Sequence, residues 1–78
     1  MPTIDDIGPY KFFFYSAEGT ELPHVHIRRD NATAKVWLNP VRVAYSRRFQ
    51  GHELNKLLKL IEENKDRILE AWHEYFDH

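Results

Sequence analysis

Cysteine is absent from this chain of 78 residues. That excludes a disulfide framework, a thiolate metal site and a thiol nucleophile. Glycine is scarce, at three residues, and none forms a phosphate loop or a dinucleotide fingerprint. No nucleophile elbow is present. Long apolar runs are missing too, since no segment approaches the roughly 18 apolar residues of a membrane span. The N-terminal stretch carries Asp5 and Asp6 where a signal peptide would be apolar. A soluble cytoplasmic protein is therefore the expectation. The length leaves no room for a (β/α)₈ barrel or a dinucleotide-binding fold, and it sets a single domain over 1–78. A chain of this size buries only about 60–65% of its extended surface, so the core must be small.

The net charge of −1 hides a division. Residues 1–23 carry net −3, residues 24–48 net +5 and residues 49–78 net −3. The basic middle holds Arg28, Arg29, Lys35, Arg42, Arg47 and Arg48 against Asp30 alone. Such asymmetry points to an anionic partner, although an open protein surface also carries charges without function.

Hydrophobic periodicity orders the chain. Residues 10–16 are aromatic on both faces and predict a central strand. A loop from Ala17 to Pro23 follows. His24 to Arg29 alternates with period two, which predicts a half-buried strand. Asp30-Asn31 is a hairpin turn, with Asn31 suited to positive φ. Residues 33–38 alternate again, and Asn39-Pro40 marks another turn. In the next strand Val41, Val43 and Tyr45 oppose Arg42, Ala44 and Ser46. From Gln50 the period becomes helical through Leu54, Leu57, Leu58 and Ile61, then Ile68, Leu69, Trp72 and Phe76. An unbroken helix would run about 39 Å, against strands of about 20 Å, so a break near Asn64 is favoured, with Asn64 as the C-cap.

Strands first and helices after predict an α+β domain. It comprises a small antiparallel β-meander of three to four strands over about 10–46. One broken helix or two C-terminal helices over about 50–77 pack on one sheet face. The periodicity then places His24, His26, Arg28, Lys35, Trp37 and Arg42 together on the opposite face.

A basic sheet face with interleaved aromatics suits single-stranded nucleic acid. Cations neutralise phosphates, and Trp37 or Tyr15 offers a stacking platform worth about 1–3 kcal/mol per base. His24 and His26 point the same way, about 6–7 Å apart along the strand. One could serve as base and the other as acid, with Arg28 on the phosphate, so that RNA is cleaved through its own 2′-hydroxyl without a metal or cofactor. Lys35, Trp37, Arg42, Arg47 and Arg48 would form the binding surface. His-x-His is also a metal-ligand spacing, but His52, His73 and His78 supply no matching third ligand. The acidic helices argue against a DNA-reading helix. A structural role for the histidines, and a non-catalytic binding module for protein or nucleic acid, stay open beside catalysis and a metal-dependent enzyme. The aromatic strand or the sheet edge would serve a homodimer.

The order of segments adds a resemblance. Met-Pro-Thr-Ile is followed by the aromatic strand, Leu22-Pro23-His24-Val25-His26-Ile27, Ala34-Lys35-Val36-Trp37-Leu38 and the ending Asn64…Leu69-Glu70-Ala71-Trp72. Over nearly the whole chain this resembles the bacterial family known as domain of unknown function 4160. Leu22 stands where the family usually has a second proline. Ile27-Arg28-Arg29 stands where many members have an acidic or small residue, so the resemblance does not extend to Arg28. The resemblance implies the toxin component of a two-gene toxin–antitoxin module, with a cognate antitoxin-like small protein as partner. RNA as its target follows from the basic face, not from the resemblance.

Overall fold

A computed structural model describes residues 3–15 and 19–76, with side chains from residue 6 onward. Five strands precede two helices: β1 (Thr3–Ile7), β2 (Tyr10–Phe13), β3 (His24–Arg29), β4 (Ala32–Leu38), β5 (Val41–Arg47), α1 (Gly51–Glu63) and α2 (Lys65–Phe76). The sheet is an antiparallel meander in the order β1-β2-β3-β4-β5. The α+β class is as expected, but the strand count is five, not three to four. The extra strand is β1. Its Asp5-Asp6 pair breaks the apolar alternation, and it is recruited by pairing with β2 across the turn at Gly8, whose φ of 59° favours glycine. Strand β2 is flanked on both sides, as its two apolar faces require. It ends at Phe13, before the expected 16. The expected strand end at Ser16, the loop start at Ala17 and the C-terminal His78 lie outside the described residues.

The β3–β4 hairpin closes over two residues. Here Asp30 takes the positive φ of 54°, and not Asn31 as expected. Strand β4 alternates cleanly, with Ala32, Ala34, Val36 and Leu38 buried and Thr33, Lys35 and Trp37 half-buried. Strand β5 does not. Val36 pairs with Val43 and Lys35 with Tyr45, so Ala44 is an extra residue in a β-bulge. The bulge reverses the parity of everything after it. Tyr45 and Arg47 turn to the face of Lys35 and Thr33, and Ser46 turns with Ala34. The simple alternation that put Tyr45 with Val41 and Val43 is corrected by this one residue.

The helices cover one sheet face. Leu57, Ile61, Ile68 and Trp72 pack against Phe12, Phe14, Val25, Ile27, Val36 and Leu38. Each such side chain contributes about 1.5–3 kcal/mol on burial. Asn64 breaks the helical run as expected, but without a left-handed residue. Its φ is −110°, its amide donates to the Leu60 and Ile61 carbonyls, and its Nδ2 donates to Leu60 O at 2.8 Å. At the other end of α1, Glu53 receives Arg29 of β3 through Nε at 2.6 Å and Nη2 at 2.7 Å, and the Tyr10 hydroxyl of β2 at 3.0 Å. The helix layer is thus tied to two strands. Gly19 abuts α2: a Cβ there would lie 2.8 Å from Phe76 Cδ1.

Candidate functional site

The sheet face opposite the main helix layer gathers the expected site residues other than Arg48 by register, and α2 reaches it at His24 through Trp72. Asp6, Lys11, Arg28, Thr33 and Arg47 follow one another across the five strands in one row. Phe13, His26, Lys35 and Tyr45 form the next, and His24, Trp37 and Arg42 the third. Neighbouring strands lie about 4.8 Å apart, so each row is a short ladder of adjacent side chains.

The two histidines are not where period two alone would put them with respect to solvent. His24 is fully buried and His26 is 4% exposed. The reason is the aromatic content of the flanking segments. The His26 ring stacks on Phe13 at 5.5 Å and meets the edge of Tyr15 at 4.6 Å. The His24 ring lies 5.2 Å from that of His26, 5.5 Å from Trp37 and 4.9 Å from Trp72 of α2. Its Nδ1 donates to the Leu22 carbonyl oxygen at 2.9 Å. Both imidazoles take the sheet face that the alternation predicts, but aromatic rings enclose them there, so neither faces solvent. A general acid or base must come within hydrogen-bond reach of the proton it transfers. A fully buried His24 has no such access in this conformation.

The cations divide into two groups. Arg29 and Lys35 are neutralised: Arg29 by Glu53, and Lys35 by Glu21 at 2.7 Å while its ammonium lies 4.7 Å from the Trp37 ring centre. The hydrogen bonds from Arg29 are the main cause that holds the Glu53 carboxyl below its ordinary range. Burial is the main cause that raises the Tyr10 hydroxyl, and its hydrogen bond to Glu53 adds to that. Arg28, Arg42, Arg47 and Arg48 are exposed, and none forms an ion pair with an acid among the described residues. Arg28 covers the Phe13 ring at 5.8 Å. Arg48, with a positive φ of 63°, lies past the end of β5 and outside the three rows. Trp37 is half-buried and Tyr45 is 49% exposed.

Tyr45 and Lys11 escape the periodicity reading of this face, whereas the alternation places Thr33 on it without singling it out. Tyr45 is missed because nothing in the composition marks Ala44 as the bulged residue. Lys11 sits within an aromatic run whose two faces both read as apolar, although its parity with Phe13 would have placed it. Thr33 gains significance only from the arginines on either side. Thr33, Tyr45, Ser46 and Arg47 line a shallow depression of about 310 Å³. Among the described residues no cluster of three or more potential metal ligands exists, and no helix is long and apolar enough to cross a membrane.

Comparison with known proteins found no similar curated protein and no similar solved structure. One family profile matches, described as a domain of unknown function (DUF4160), and it spans residues 10–73. That stretch runs from the first residue of β2 to the last turns of α2 and holds every expected site residue, so the chain belongs to this family.

Proposed function

We propose that the chain binds single-stranded RNA on its open sheet face, without using His24 and His26 as acid and base. The observation that carries this reading is the exposed row of Lys11, Arg28 and Arg47, bordered by the half-exposed ring of Tyr45. Cations that form no ion pair with an acid among the described residues leave their charge for phosphates. An aromatic ring beside them supplies sequence-tolerant stacking. Burial of both imidazoles supports binding over cleavage. A toxin working this way would arrest growth by occupying its target, and an acidic partner protein would relieve the arrest by covering the same face.

The test is fluorescence anisotropy with a labelled single-stranded RNA over a series of salt concentrations, followed by a gel of the same RNA. Three phosphate contacts predict a log–log salt slope of about −2 for a single strand. The RNA should remain intact. Absence of binding at low salt, or binding indifferent to salt, would overturn the proposal. Cleavage that disappears in a folded His26 variant would restore the catalytic reading.

A further inference from the structure

The depression at the β4–β5 margin has a chemistry more specific than a general basic face. Its lining is two hydroxyl side chains on the open face, Thr33 and Tyr45, one guanidinium, Arg47, and Ser46, whose side chain turns with Ala34 to the other face. No carboxylate lines it. By register Thr33 stands between Arg47 on β5 and Arg28 on β3, all on the open face. The two arginines are thus about 10 Å apart across Thr33, two strand spacings. Elsewhere in the molecule a cation of β3 or β4 is met by an acid, as Arg29 is by Glu53 and Lys35 by Glu21. Here two cations flank a hydroxyl, and no acid is supplied among the described residues.

We propose that this depression is a nucleotide subsite. A phosphate group sits over Thr33, taking hydrogen bonds from its hydroxyl and charge-assisted hydrogen bonds from Arg47 and Arg28. The base lies against the Tyr45 ring. Guanidinium groups match the oxygens of phosphate in a bidentate manner, and hydroxyls fill the remaining acceptor positions. A volume of about 310 Å³ exceeds what a phosphate alone needs and is of the size found for small-ligand sites. The bulge at Ala44 builds the subsite, because it brings Tyr45 and Arg47 to the face of Thr33. This assignment rests on the RNA-binding reading and names the position on the face where one nucleotide is held.

The probes are a nucleoside monophosphate, the corresponding nucleoside and inorganic phosphate, titrated into the whole chain with backbone amide resonances as the readout. The monophosphate should shift Thr33, Tyr45, Ser46 and Arg47 saturably. The nucleoside and the inorganic phosphate should each bind at least about tenfold more weakly, since each keeps only one half of the contacts. Arg47→Ala should weaken the monophosphate about tenfold or more. Tyr45→Ala should weaken it too, and Tyr45→Phe, which keeps the ring, should not. Both positions are exposed, and the spectrum of each variant reports directly whether it is folded. Shifts scattered away from these four residues, or an Arg47→Ala affinity equal to wild type, would overturn the subsite. RNA binding with a normal salt slope alongside no monophosphate binding would overturn the subsite alone. Absence of both would overturn the RNA reading with it.

Discussion

Replacing His24 by alanine removes an imidazole fully enclosed by Trp37, Trp72 and His26. Truncating a buried ring leaves a cavity between the sheet and α2. By analogy with large-to-small core substitutions that loss is about 2–4 kcal/mol. The hydrogen bond from Nδ1 to Leu22 O adds about 1 kcal/mol. The total, about 3–5 kcal/mol, is a large share of the roughly 4–12 kcal/mol available to a domain of this size. In a urea titration followed by circular dichroism, the midpoint should fall with little change in slope. The melting temperature should drop by at least about 12 °C, at about 4–8 °C per kcal/mol. His24→Phe keeps most of the ring volume and loses the hydrogen bond, so it should cost about 1–2 kcal/mol. A His24→Ala protein within about 1 kcal/mol of wild type would refute the enclosure of this ring. The imidazole would then be a solvent-facing group, available for chemistry.

Glu53 is held below its ordinary pKa of 4.5, chiefly by Arg29, so its folded value lies under its unfolded one. The stability it contributes is present above about pH 4.5 and is lost as pH falls through the lower folded value. Glu53→Gln should therefore melt below wild type at pH 7, with the gap narrowing as pH falls below 4.5, in thermal scans across pH. Asn64→Gly should cost about 1 kcal/mol in a urea melt, because a residue at φ −110° has no use for glycine's freedom and the side-chain bond to Leu60 is lost. A gain in stability would indicate a left-handed cap. Lys11→Ala should reduce the magnitude of the RNA salt slope by about 0.7, one phosphate's share on a single strand, and leave the melting temperature near wild type.

Much of this architecture is legible in the residue pattern, and the exceptions have physical causes. The bounds of β3 follow from its alternation, and those of β4 and the two helices from theirs to within a residue. The Asn64 break follows from a polar gap between two apolar stripes. Strand β1 is hidden because its pairing, not its own pattern, makes it a strand. Of the candidate site, Arg28, Lys35, Trp37 and Arg42 are read correctly onto one face, because side-chain parity on a strand is strict. The burial of His24 and His26 is not legible in that way. Parity tells which face a side chain takes, but not what else comes to cover it. Tyr15, beyond the end of the neighbouring strand β2, and Trp72, from α2 and remote in sequence, cover these two rings.

The single unmatched residue in β5 separates two properties that a strand ordinarily binds together. Val41 and Val43, before the bulge, keep the inward parity that the core demands, while Tyr45 and Arg47, after it, obey the opposite parity. The two halves of one strand are therefore answerable to different constraints. The composition of the first half is fixed by packing against Val36 and Leu38, whereas the second half is free to vary with whatever the open face contacts. Surface chemistry in this fold is thus encoded partly by chain length, one residue at a time, and not by residue type alone. Related chains could exchange the contents of the open face through a one-residue insertion or deletion at this point and leave the hydrophobic interior unchanged.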